Sequence, residues 1–334
     1  MQYTYGSDKN GLICGYVFTP GLAGQAVGLD QALSWVNRAD DDERAGFVWL
    51  HFNLTDATAE TWITQNLNVV PEFFEALREG SRSTRIEDAN DTLVAVVNDV
   101  AFEFAFDPSE IATLWVMVGP RLVLSARTHA LRSIDRLRKA VKDGCQFDSS
   151  VAFLNHLMHD QGDVLVRIVR DATLQVDEIE DNLLTGRLQH KRAELGKLRR
   201  VLVRLQRLLA PEPGALFRLL RQPPPWMSSG ELDDLRQATE EFSLVIRDLA
   251  ELQERIKLLQ EEMAAQVGEQ TNKSVFTLTV VTVLALPINM VAGLLGMNVG
   301  GIPFADSPHG FGVVVALVLT VTLLAGWFAF KDRD

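Results

Sequence analysis

Thr282 and Asn289 are polar side chains seven residues apart in a run made mostly of Val, Leu, Ala and Ile. On an α-helix that spacing is two turns. Both therefore share a face with Val275, Leu278, Leu286 and Gly293, each three or four residues from the next. An amide in hydrocarbon costs free energy unless it is hydrogen-bonded or turned toward protein or water. Asn289 thus has two readings: a hydrogen bond across a helix interface, or a polar group facing a path made by several copies of this helix around an axis. Pro287, on the same stretch, removes one backbone N–H, bends the helix and frees a carbonyl.

A second constellation is His156, His159, Asp160 and Asp163, whose spacing on a helix is that of a metal site or of a polar solvated face. Cys14 and Cys145 lie far apart and outside any CxxC pattern, as expected of reduced thiols in a cytosolic domain. No glycine-rich phosphate loop, nucleophile elbow or acid–base pair appears, so neither enzymatic activity nor a bound cofactor is expected.

The elements that must position these residues follow from charge. The chain has 334 residues, 32 Lys and Arg against 44 Asp and Glu, and a net charge of -12. Such a balance argues against nucleic-acid partners, whose phosphates need neutralising, and favours cations. The mean hydropathy of +0.06 averages two unlike regions. Residues 1–273 hold 41 of the acids and 30 of the bases. Ser274 to Ala305 is 32 residues without a charge, and Phe311 to Phe330 is 20 more. Each exceeds the ~20 residues that cross a bilayer. Two spans, about 274–296 and 311–330, are expected as a hairpin in the cytoplasmic (inner) membrane. Lys273, Lys331 and Arg333 flank it while the connector has no Lys or Arg, which places both termini in the cytoplasm. Met1 to Gly11 lacks the basic start and apolar run of a signal peptide.

Residues 1–150 read as a cytosolic α/β domain. Strands are expected at Gly11–Phe18, Phe47–Phe52, Leu93–Phe104, Ile111–Val118 and Leu122–Ala126, and helices at Ala57–Leu67, Pro71–Arg78 and Ala130–Lys142. Residues 151–273 read as a helical stalk, with Val151–Leu184, Arg187–Leu209 and one long helix from Ser229 to about Leu295. Leu235, Ala238, Phe242, Val245, Leu249, Leu252, Ile256, Leu259 and Met263 form a heptad seam along it. So long a helix needs neighbours. Its eleven acids against five bases between Glu231 and Lys273 suit packing beside the basic segment Arg187–Arg207. The expected whole is an α+β membrane protein, with residues 274–334 as the transmembrane hairpin and a short tail.

Gly296-Met297-Asn298, at the end of the first of two C-terminal spans and after a long cytosolic helix, resembles the signature of the CorA family of divalent-cation transporters. The Val-Gly-Gly-Ile-Pro that follows is similar to its ZntB zinc-transporter branch. The resemblance covers the whole layout. It implies a homopentamer with a cytosolic funnel, the first span of each subunit lining the pore and Gly296, Met297 and Asn298 forming the outer mouth. Asn298 and ringed carbonyls would there hold a hydrated cation through its waters, whereas a Cys or His cage would hold zinc too tightly to release it. Asn272 would mark the inner mouth, Thr282 and Asn289 would be polar rings, and Val275, Leu278 and Leu286 apolar constrictions. Asp306 in the connector can recruit cations, and His309 can bind zinc or carry a proton. The implied cargo is Zn²⁺ moving inward, with or without coupled protons; a channel-like path for Mg²⁺, Co²⁺ or Ni²⁺ is the alternative within the family, and Cd²⁺ a further candidate ion. A membrane-anchored metal sensor or scaffold is the reading from another class.

Overall fold

The computed structural model describes residues 6–38, 46–80, 84–101, 104–107, 110–184, 191–297 and 307–331. The chain divides into two compact units, Met1–Leu259 and Gln260–Asp334.

In the first unit seven strands form one sheet: β1 (Leu12–Phe18), β2 (Gln25–Ala26), β3 (Phe47–Asn53), β4 (Arg85–Ala89), β5 (Thr92–Val100), β6 (Ile111–Val118) and β7 (Leu122–Arg127). Their order is β2-β1-β3-β7-β6-β5-β4. Only β3 and β7 pair in parallel, with Val48 opposite Leu122; the other pairs run antiparallel. Both faces are covered, which is why β3, β6 and β7 read as continuous apolar runs rather than alternating ones. Tyr16, Phe18, Phe47, Trp49, Leu93 and Leu114 point into one core. Val48, Leu50, Phe52, Val94, Trp115 and Leu124 point into the other.

The second core is closed by α1 (Leu29–Val36), α2 (Ala57–Asn66) and α3 (Pro71–Glu79). The Asp56 carboxylate caps α2 by accepting the Thr58 N–H at 3.0 Å. The first core is closed by α4 (Arg132–Lys142), α5 (Ser150–Leu184), α7 (Pro211–Arg221) and the start of α8 (Ser229–Leu295), with α6 (Lys191–Leu209) between α5 and α7 in sequence. Val151, Phe153, Leu154 and Leu157 of α5 sit in one core with sheet residues, so packing shows no break at residue 150. The helical section and the α/β section are one unit.

The strands and helices expected from pattern are present with small shifts at their ends; of the strand expected over Leu93–Phe104, β5 covers the part to Val100 while residues 102–103 lie outside the described residues, as do 187–190 at the start of the helix expected from Arg187. Four elements, β2, β4, α1 and α7, have no counterpart in that reading. β4 is the charged edge strand Arg-Ile-Glu-Asp-Ala, too polar to resemble a core strand. It turns into β5 through Asn90 and Asp91, both with positive φ. α7 opens on Pro-Glu-Pro-Gly, which reads as a breaker although proline fits the first turn of a helix.

α8 begins with a capping box: Ser228 N–H donates to the Glu231 carboxylate at 2.8 Å, and Glu231 N–H to Ser228 Oγ at 3.4 Å. Every residue of its heptad seam, Leu235 to Met263, is buried. Gln253 of α8 donates to the Leu202 carbonyl of α6 at 2.9 Å. On α5, a helix outside that expectation, the charges pair in the other sense. There α8 supplies the base, Arg255, to Asp177 at 2.7 Å and to Glu180.

In the second unit α8 runs to Leu295, a turn follows at Gly296 and Met297, and α9 spans Gly310–Lys331. Among the described residues α8 is the one helix whose apolar stretch is long enough to cross a membrane, and none of that stretch is buried within the chain. α9 is 22 residues long. A Cβ placed on its Gly326 would stand 4.0 Å from Leu284 of α8.

Candidate functional site

The membrane-length part of α8 holds together by internal bonding, since its side chains have few neighbours. Val275 is 57% exposed, Leu278 68% and Leu286 61%. The threonine hydroxyls bond back to their own helix: Thr277 to Lys273, Thr279 to Val275 and Thr282 to Leu278, all within 2.9 Å. Each hydroxyl hydrogen is thereby used, which leaves an oxygen that can only accept.

Thr282, Leu286 and Asn289 line one open groove with Val281, Ala285 and Met290. Asn289 is exposed and has no hydrogen-bond partner among the described residues. Its amide offers two donors and an acceptor at the groove surface. Pro287 deprives the Val283 carbonyl of its helical donor. At 100° per residue Val283 stands roughly a quarter-turn from Thr282, on the flank of this face. Gly293 lies one turn above Asn289, and Asn272 is exposed below the apolar stretch. Beside it Lys273 pairs with Glu269 at 2.7 Å, which holds that carboxyl below its ordinary range. At the other end Gly296 N–H donates to the Ala292 carbonyl at 2.9 Å, and Met297 is half exposed. Asn298, Asp306 and the Val-Gly-Gly-Ile-Pro segment lie outside the described residues. His309 precedes α9, and its carbonyl accepts the Val313 N–H at 3.2 Å.

The His156 constellation is not arranged as a metal site. Arg136 of α4 occupies the carboxylates, its Nε 3.2 Å from Asp160 and its Nη2 3.1 Å from Asp163. His156 lies 3.6 Å from Asp160, while His159 turns instead to Glu241 of α8 at 3.6 Å. A guanidinium already supplies the charge a cation would bring. Among the described residues no group of three or more His, Cys, Asp and Glu is arranged to hold a metal. The Cys14 thiol is pushed up to about 11 by burial, which disfavours the thiolate that metals and oxidants need. Both cysteines are free.

Sequence reasoning missed two buried polar centres in the first unit. His51 joins Trp49, Ser125 and Arg127 between β3 and β7. Asp99 and Glu212 share a network with Asn98, Thr84 and Gln161. The available signal was Asn98-Asp99 interrupting an apolar strand, and Glu212 between two prolines.

An α/β and helical unit whose last helix runs on into an uncharged stretch of bilayer length fits an integral membrane protein. Residues 44–331 match the family model described as CorA-like Mg2+ transporter protein, and the chain belongs to this family of divalent-cation transporters. It is similar to the divalent cation transporter CmaX of Pseudomonas aeruginosa, 27% identical over 332 residues that cover 98% of each chain. The zinc transport protein ZntB of Yersinia enterocolitica is 24% identical over 281 residues, 84% of this chain and 85% of that one. Among solved structures, full-length CmaX superposes with a TM-score of 0.81 at 26% identity, covering 98% of this chain and 100% of the other. The CorA magnesium transporter from Methanocaldococcus jannaschii shares the fold, with a TM-score of 0.74 at 19% identity over 96% and 98% of the two chains.

Proposed function

We propose that this protein carries Zn²⁺ into the cell across the cytoplasmic membrane, as a homopentamer in which α8 of each subunit lines the path and α9 forms the second span. Both termini then face the cytoplasm. The observation that carries this reading is the face of α8 on which Thr282 and Asn289 keep unspent acceptors and donors amid exposed Leu and Val. Five such faces around an axis make polar rings between apolar constrictions, which pass a hydrated ion without binding it tightly. Asn298, Gly296 and Met297 are the proposed outer mouth, with Asp306 and His309 near it. Zinc as cargo rests on the likeness to ZntB. The likeness to CmaX, named for divalent cations at large, favours a second reading: a channel-like path for Mg²⁺, Co²⁺ or Ni²⁺.

The test is metal entry into proteoliposomes holding the full chain and a zinc-sensitive or magnesium-sensitive dye, with and without a pH gradient. Zinc entry that the gradient accelerates and Asn298→Ala abolishes is the expected result, and identifies proton-linked zinc uptake. Magnesium entry indifferent to the gradient identifies the channel-like reading. No entry of either ion, with folding intact, overturns both and leaves a membrane-anchored metal sensor.

A further inference from the structure

Glu212 stands in the first turn of α7 and is 1% exposed. Gln161 of α5 donates from Nε2 to Glu212 Oε2 at 3.1 Å and to the Asn98 carbonyl of β5 at 2.8 Å. Both hydrogens of that amide are spent. Its Oε1 is buried and has no partner among the described residues, so it remains an empty acceptor beside the Glu212 carboxyl. Thr84, just before β4, hydrogen-bonds to Glu212 through its side chain and accepts from Asn98 Nδ2 at 3.2 Å. Its backbone N–H donates to the Leu208 carbonyl of α6 at 3.1 Å. One carboxyl thus ties α7 to α5, to the β4–β5 edge and, through Thr84, to α6.

The charges around it are unfavourable to a carboxylate. Asp99 of β5, fully buried, is the charged group that acts on Glu212, and it acts by repulsion. Asp99 takes its own hydrogen bonds from Ser133 N–H at 2.8 Å, from the Ser133 hydroxyl and from Val100 N–H at 2.7 Å, and Arg132 of α4 acts on Asp99. On α5, the neighbouring Asp160 is engaged by Arg136. On β4, Arg85 is drawn to Glu79 at 2.7 Å. The void lined by Asn98, Asp99, Gln161 and, from α6, Leu205 and Leu209 measures about 10 Å³. That is room for about one water, at a void that Asp99 and Gln161 line and Glu212 does not.

We propose that Glu212 is a proton-fastened latch: the neutral carboxyl seats α7 against α5 and the sheet edge by donating to Gln161, and losing the proton to solvent loosens that seat. Burial, the largest influence, and Asp99 raise the carboxyl from 4.5 to about 8 against the hydrogen bonds of Gln161 and Thr84. The open segment, with Glu212 in water, ionises near its ordinary value. Opening therefore becomes easier by about tenfold per pH unit from the ordinary value up to about 8, and levels off above it. The latch does not depend on which ion the protein carries.

Hydrogen exchange of α7 peptides in the full chain in detergent, corrected for the intrinsic rate and followed from about pH 5.5 to 9, tests this. The expected result is protection that falls about tenfold per unit and then flattens near pH 8. Glu212→Gln, shaped like the neutral acid, should hold α7 closed with no pH slope, and Asp99→Asn should move the plateau to lower pH. A wild-type profile without slope, or a slope retained in Glu212→Gln, overturns the proposal. The infrared band of a neutral carboxyl, assigned with ¹³C-labelled glutamate, is independent of whether the variants fold. Its presence at neutral pH and loss in alkali support the latch; its absence at neutral pH refutes it.

Discussion

Arg127 donates its Nε–H to His51 Nε2 at 3.0 Å across the parallel pair β3–β7. A ring nitrogen that accepts from a guanidinium carries no hydrogen, so the other nitrogen, Nδ1, is the donor to Ser125 Oγ at 2.8 Å. Ser125 also receives the Trp49 indole N–H at 2.8 Å. Two strands are thereby joined in the core through a neutral imidazole.

That neutrality has a pH consequence. Burial, first, and the charges of Arg127 and Arg138 hold His51 well below its ordinary value of 6.5. Below pH ~6.5 the unfolded chain takes up a proton that the folded His51 refuses, so folding stability falls with acid by up to about 1.4 kcal/mol per pH unit. Denaturant titrations of the full chain between pH 7.5 and 5 should show this slope, and His51→Gln should lose most of it. An unchanged slope in the variant would assign the acid sensitivity elsewhere.

Gly46 enters β3 with φ +104, and a Cβ there would lie 2.0 Å from the Phe18 carbonyl oxygen. Neither the backbone angle nor the space admits a side chain. Gly46→Ala should cost about 3 kcal/mol or more. In thermal unfolding this appears as a loss of at least about 6 °C.

Arg136 is the counter-charge of Asp160, which is 8% exposed. Arg136→Leu leaves that carboxylate without its cation, at a cost of about 1–3 kcal/mol for this partly exposed pair. Burial already raises Asp160, and Arg136 is the largest of the influences opposing the rise, ahead of His156 and Arg167. The deficit should therefore be largest at neutral pH and shrink in acid as Asp160 takes its proton. Unfolding of wild type and variant at pH 7 and pH 5 measures the difference.

Asn289 is exposed and has no hydrogen-bond partner among the described residues, so Asn289→Leu should leave unfolding within about 0.5 kcal/mol of wild type. Ion flux in proteoliposomes should fall at least about tenfold, because a polar ring becomes a further apolar constriction. Thr282→Val, which removes an acceptor of similar shape, should lower flux less. Full flux through Asn289→Leu would remove this face from the path.

What could be read without a fold was what is local. The span of α8, from Ser229 to Leu295, follows from a capping serine, an uninterrupted 3.6-residue period and the absence of an early proline. β6 matches its expected bounds because a strand buried on both faces needs an apolar run. The face holding Thr282 and Asn289 is set by helical geometry alone, whatever surrounds it. Tertiary structure decided everything that depends on which distant residue arrives. Arg136 from α4 reaches Asp160 on α5 and makes an ion pair of a spacing that reads equally as metal ligands or as a solvated polar face. Asp99 and Glu212, more than a hundred positions apart, meet in one buried cluster. The period of a side-chain pattern is a property of the nearest turn of backbone, but the charge state of a carboxyl depends on solvent and neighbours that only the packed chain brings.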